Sequence, residues 1–230
     1  MRETTAPPMT RVRDGLEVAS AEDRGELPTA NKLRVWGTLS AYSLADQALM
    51  SLAGFFVNLL LARWMTADVY GAFAVAFAGY LFVCGFYNVI VLEPMSVMGP
   101  GRHASRLPAY FREQIVIHAK LVGFLSTLVL AAGGMAWHIA PHTPLAGAIL
   151  GSGLALPFLL FLWLVRRICY VLQRPSSAIL GSATHLSLVI CGLYILRDLG
   201  KLSPFSAFLL TGSSSFLAAS FVLRRFAIKR

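Results

Sequence analysis

Residues 41–62 read AYSLADQALMSLAGFFVNLLLA, and the architecture of the chain turns on this stretch. Its uninterrupted apolar part, Ala48 to Ala62, has only 15 residues, whereas a helix needs about 20 to cross the hydrocarbon core of a bilayer. A span must therefore begin near Ala41 and carry Asp46 and Gln47 into the membrane. With successive side chains about 100° apart on a helix, Ser43, Gln47, Ser51, Gly54 and Asn58 then share one face. The first span is thus polar along one side from end to end.

The rest of the chain extends this reading. Of 230 residues, 57% are hydrophobic and 13% charged, about half the charged share of a soluble domain. An ordinary soluble fold is excluded. Residues 1–36 hold 12 of the 31 charged side chains, together with Pro7, Pro8 and Pro28. They lack hydrophobic periodicity and are expected to form a disordered cytoplasmic tail. No short apolar stretch with a small-residue cleavage site lies near Met1, so a cleaved secretory signal is not expected and the first span acts as an uncleaved anchor.

Apolar segments then place six spans at about residues 41–62, 69–92, 115–139, 145–165, 177–196 and 202–223. The fold class expected is all-α: a six-helix membrane bundle over 37–225, followed by a basic cytoplasmic end at 226–230. Glu93-Pro94 is expected to stop the second span, because proline disfavours helix at the residue before it. The stretch from Gly99 to Gln114 reads as a loop. Gly133-Gly134 is a place where the third span can bend, and Pro157 a place where the fourth can kink. Gly147 and Gly151 have the spacing of a close helix contact.

The basic residues test the topology, because cytoplasmic segments carry the excess of Lys and Arg. With the N-terminus inside, 16 of the 20 fall on the inner side and three, Arg63, Arg197 and Lys201, on the outer side; Lys120 lies within the third span. This split predicts both ends in the cytoplasm. The positive charges form no stripe interleaved with stacking aromatics, so nucleic acid is not an expected partner. Cys84, Cys169 and Cys191 show no paired spacing and read as small buried hydrophobes.

No reaction chemistry is visible: there is no phosphate-cradling glycine loop, no metalloprotease motif and no convincing pair of acids. No enzyme activity, cofactor or metal is expected. His138 and His142 lack a third ligand. The sharpest candidates lie on the first span, where Asp46, Gln47, Ser51 and Asn58 have two readings: lining a substrate cavity, or hydrogen-bonding to neighbouring helices. Asp46 lies about 7.5 Å inside the helix start at 1.5 Å per residue, close enough to reach the interface. The second span carries an aromatic stripe, Tyr70, Phe73, Phe77, Tyr80 and Tyr87, which serves either as a stacking wall for a sugar or lipid carrier or as ordinary packing. Glu93 has the choice of pairing with Arg102 or Arg106 as a gate, or of facing water. Arg166 and Arg167 read as a positive-inside anchor or as contacts for a lipid phosphate. Thr211 to Ser215 supply small side chains for close contact or bending in the sixth span.

Several local patterns resemble one family. Ala45-Asp46-Gln47 through Asn58-Leu59-Leu60-Leu61-Ala62-Arg63, followed by Val69-Tyr70-Gly71-Ala72-Phe73, is similar to the opening of polysaccharide and O-antigen flippases of the multidrug/oligosaccharidyl-lipid/polysaccharide exporter superfamily. Leu92-Glu93-Pro94-Met95, Arg166-Arg167 with Tyr170, Gln173-Arg174-Pro175 and Leu202-Ser203-Pro204-Phe205-Ser206-Ala207-Phe208 look similar too, so the likeness extends over about residues 35–225. The resemblance implies two six-helix bundles rocking about a central cavity to move a lipid-linked oligosaccharide, with the first span lining that cavity. This chain matches the first bundle only and has no Arg or Lys at mid-membrane depth. The resemblance therefore implies self-association or a second six-helix polypeptide as a partner, with membrane lipid around the bundle. Two other functions stay open: a non-transporting assembly subunit, and half of a drug or small-molecule exporter.

Overall fold

The computed structural model describes residues 29–102 and 106–228, with side chains described for 37–38, 40–101 and 106–225. Its helices are α1 (Thr29–Trp64), α2 (Ala67–Tyr87), α3 (Glu93–Arg102), α4 (Leu107–Ile139), α5 (Pro144–Val171), α6 (Pro175–Asp198) and α7 (Pro204–Ile228), with a wide π-type turn, Asn88–Leu92, joining α2 to α3. No strand occurs among the described residues. Six helices are long and apolar enough to cross a membrane, α2, the wide turn and α3 counting as one from Ala67 to Gly101. The protein is an all-α, multi-pass membrane protein. Short turns make successive spans antiparallel, so α1 begins and α7 finishes at one end of the bundle, called here the terminal end; the opposite end is the far end.

Proline sets several of the starts. Pro144, Pro175 and Pro204 each open a helix, where the missing N–H costs nothing and the fixed φ already suits the helix. Thr143 caps α5 by accepting from the Ala146 N–H at 3.4 Å. At the far end α6 closes on Gly200, whose φ of +64° suits glycine, with Lys201 N–H reaching the Leu196 carbonyl and Gly200 N–H the Arg197 carbonyl, both at 2.9 Å. The chain finishes α5 in the same way, with Arg174 N–H on the Cys169 carbonyl and Gln173 N–H on the Tyr170 carbonyl. There the left-handed position is filled by Gln173 at φ +53°.

Three expected boundaries differ. The second span does not stop at Glu93-Pro94: the Glu93 N–H bonds to the Asn88 carbonyl five residues back, and this shift in register puts Pro94 in the first turn of α3, where its ring is tolerated. The expected loop over 99–114 is mostly helical, since α3 runs to Arg102 and α4 starts at Leu107 with Pro108 in its first turn; His103 lies outside the described residues. The α1 backbone begins at Thr29, so the last part of the expected tail continues the first helix. Residues 1–28 lie outside the described residues, as does the end of the basic C-terminal segment, 229–230.

α5 is the most buried span and packs against α4, α7, α2 and α6. Small residues let it approach its neighbours. A Cβ on Gly151 would lie 2.9 Å from the Phe205 backbone of α7, and one on Gly153 would lie 3.0 Å from the Leu130 side chain of α4. Gly133 of α4 receives Leu150 in the same manner, so its role is close packing. Pro157 lies within α5, which runs on unbroken. Having no N–H, it cannot serve the Gly153 carbonyl four residues earlier; Ser126 of α4 donates to that oxygen instead, at 2.6 Å.

Candidate functional site

α1 packs chiefly against α6, and α2 against α5, whereas α1 and α2 touch little. A cleft therefore opens between α1 and α2, with α5, α6 and α7 behind it. Its deeper chamber, about 310 Å³, is lined by Gln47 and Ser51 of α1, Phe77 and Tyr80 of α2, Trp163 of α5 and His185 of α6, among others. A second chamber of about 390 Å³ lies toward the terminal end, and its walls include Ser43, Asp46, Asn88, Arg166, Arg167 and Tyr170. Gln47, Met50 and Trp163 border both. The two chambers are thus neighbours, one largely apolar and aromatic, the other polar and lined by charged side chains.

The four candidates of the first span separate into two pairs. Asp46 is completely buried and faces α5 and α6. Its carboxylate accepts from Arg166 Nη2 at 2.7 Å and Nε at 3.2 Å, and from the hydroxyls of Tyr170 and Ser182. Asp46 thus hydrogen-bonds to neighbouring helices, and the cost of its buried charge is met by a bidentate guanidinium and two O–H donors. Asn58 is engaged locally, donating to the Gly54 carbonyl at 2.9 Å and accepting from the Tyr70 hydroxyl at 3.4 Å. It does not line the cleft. Gln47 and Ser51 do line it, are exposed, and make no side-chain hydrogen bond among the described residues.

At the terminal end the pairing differs from expectation. Glu93 meets Arg167: Arg167 Nη2 donates to Glu93 Oε1 at 3.2 Å and to Asn88 Oδ1 at 3.1 Å, while Asn88 Nδ2 donates to the same Glu93 oxygen at 3.3 Å. The wide turn at Asn88–Leu92 brings Asn88 and Glu93 to α5 together. Arg106 is exposed and forms no ion pair among the described residues, and the Arg102 side chain lies outside them. The Arg167–Glu93 pair is substantially open to water, so it holds weakly, at about 0–1 kcal/mol. Arg166 and Arg167 thus have different surroundings, one arginine sealed against Asp46 and the other loosely clasped at the mouth.

The aromatic stripe of α2 divides as well. Phe73, Phe77 and Tyr80 line the deeper chamber, their rings following one another at 5.6 and 5.7 Å between centroids. Tyr87 is buried on the other side, its hydroxyl 2.8 Å from His118 Nδ1. Trp163, His185, Asn88 and Ser182 were not legible as site residues, because each is brought in by a helix distant in sequence and none lies in a local motif. His185 is buried with its Nδ1 3.3 Å from the Ser215 hydroxyl. His142 packs its ring against Trp137 at 4.9 Å, and the described residues contain no group of three or more His, Cys, Asp or Glu placed to hold a metal.

Fold and site together define a class: a six-span helical membrane bundle with an amphipathic cleft between its first two spans. Comparison with protein-family models, with curated proteins and with solved structures finds no match to the chain.

Proposed function

We propose that this protein is one half of a membrane transporter for a lipid-linked saccharide, working in polysaccharide export from a bacterial inner membrane with both chain ends in the cytoplasm. One observation carries the reading: Gln47 and Ser51 present unspent hydrogen-bonding groups to a cleft that is aromatic beside them and lined by charged side chains, Arg167 among them, at one end. Bare amides and hydroxyls facing lipid tails are costly, so this face suits a polar ligand or a partner helix. Sugar hydroxyls match Gln47 and Ser51, sugar ring faces match Phe77, Tyr80 and Trp163, and a lipid phosphate matches Arg167 at the mouth. The orientation rests on the excess of Lys and Arg at the terminal end. A second bundle, from another copy or another polypeptide, closes the open side of the cleft and supplies the surface to rock against.

The test combines genetics with capture. Loss of the protein leads to accumulation of lipid-linked saccharide intermediates and depletes surface polysaccharide, and a photoreactive residue replacing Gln47 captures glycolipid in cells. A normal glycan profile with drug sensitivity in its place points to small-molecule export and overturns the reading. Capture of a partner helix alone, with glycans intact, points to an assembly subunit and does the same.

A further inference from the structure

The far end of the bundle carries a small pocket apart from the α1–α2 cleft. About 360 Å³ in volume, it is lined by Arg63 and Trp64 of α1, Arg197 of α6, and Gly200 and Leu202 of the turn into α7. The first span finishes at Trp64 and the fifth at Asp198. The pocket therefore stands where hydrocarbon gives way to headgroups, the depth that favours tryptophan. Arg63 and Arg197 each occupy the last turn of their helix, where the negative end of the helix dipole favours a cation.

Arg197 is held by a stack of rings. Trp64 packs edge-on against Tyr194 with centroids 5.0 Å apart, and the Arg197 guanidinium carbon lies over the Trp64 ring, 4.7 Å from its centroid. A cation–π contact uses no hydrogen-bond donor, so the guanidinium is positioned while its N–H groups stay available. Neither Arg63 nor Arg197 forms an ion pair among the described residues. The acids at this end, Asp68 and Asp198, do not line the pocket. Arg166 and Arg167 at the terminal end differ in this respect, each being bonded to a carboxylate. Only three of the 20 Lys and Arg fall on the far side, yet two of them share one pocket that no carboxylate lines.

We propose that Arg63 and Arg197 bind a phosphate group at the far end, each guanidinium offering paired donors to its oxygens, with Trp64 holding Arg197 in place. The phosphate belongs either to an anionic phospholipid headgroup of that leaflet or to a soluble phosphate. The site is separate from the α1–α2 cleft and does not depend on the transport reading. Two measurements on the full chain in mild non-ionic detergent test it: native mass spectrometry with phosphatidylglycerol or phosphatidylcholine added, and calorimetric titration with inorganic phosphate. Retention of one phosphatidylglycerol in preference to phosphatidylcholine assigns the site to a lipid headgroup. Binding of one inorganic phosphate without a lipid preference assigns it to a soluble ligand, and binding in neither arm overturns the proposal. Basic residues near the membrane surface contribute about fivefold each to binding of an anionic lipid, so Arg63→Gln and Arg197→Gln together lower the affinity about 25-fold. Arg197→Lys keeps the charge, loses the paired donors and lowers the affinity as well. Arg106→Gln, which removes an exposed arginine at the terminal end, leaves it unchanged. Affinity that survives the double change overturns the proposal. Equal losses in Arg106→Gln and Arg197→Gln do the same, because they would show a diffuse surface charge in place of a site.

Discussion

Arg166 of α5 and Asp46 of α1 stand 120 positions apart in the sequence and meet through two guanidinium nitrogens and both carboxylate oxygens, with Asp46 shut off from solvent. Breaking such a pair on one side leaves a buried charge without a partner, which costs about 3–5 kcal/mol, whereas replacing both members with apolar groups of similar size is often far milder. Asp46→Asn and Arg166→Met are each expected to lower the unfolding temperature in detergent strongly. The double change Asp46→Leu with Arg166→Met should recover much of the loss. Additive losses would show that the two side chains act independently.

The Ser126 hydroxyl serves the Gly153 carbonyl that Pro157 leaves without an intrahelical donor. Ser126→Ala should therefore destabilise the protein by about 1–2 kcal/mol, as expected for an acceptor left unsatisfied in a buried place. In a Pro157→Ala background the restored N–H can reach Gly153, and Ser126→Ala should then have little effect. A double-mutant cycle followed by chemical denaturation in detergent measures this coupling, and a coupling near zero would sink the account.

Gln173 takes the left-handed position that terminates α5, at φ +53°, where a side chain is strained and glycine is not. Gln173→Gly is expected to stabilise the protein by about 0.5–1 kcal/mol, after allowing for the extra freedom glycine has when unfolded. Gly200 holds the equivalent position at the end of α6 with φ +64°, so Gly200→Gln should cost a similar amount. Paired thermal melts of the two variants check the opposite signs.

The spans were legible because hydrocarbon thickness and helical rise translate directly into counts of apolar residues, and the polar face of span 1 because helical spacing alone defines it. Asp46 stands about 100° from Gln47, beside that face and not on it, and what its own side of the helix meets was not legible. That depends on α5 and α6 delivering Arg166, Tyr170 and Ser182 to it, and long-range pairing leaves no local mark. Pro94 misled for a related reason. Its effect on a helix is local, but the register shift at Asn88–Leu92 that accommodates it comes from the preceding residues. The pairing of Gly151 with Phe205 was half visible: the small residues at 147 and 151 announced a close contact, and only the fold named the helix that fills it.

Gly54 and Gly151 both lie inside spans, yet alanine should affect them in opposite directions. A Cβ on Gly54 meets no atom within 4 Å, because the residue borders the cleft. Gly54→Ala gains helix propensity of about 1 kcal/mol and should raise stability while narrowing the cleft slightly. A Cβ on Gly151 would lie 2.9 Å from both the Cα and the carbonyl oxygen of Phe205, backbone atoms that can yield only if α5 and α7 separate. Gly151→Ala should cost about 1–3 kcal/mol, the range for overpacking a fitted contact. Thermal unfolding reads both signs in one experiment. A larger change, Gly54→Phe, adds function to the comparison: it should leave folding intact and fill the chamber beside Gln47 and Ser51, abolishing export if that chamber takes the substrate. A stable Gly54→Phe variant with normal surface glycan would count against the proposed transport through this chamber.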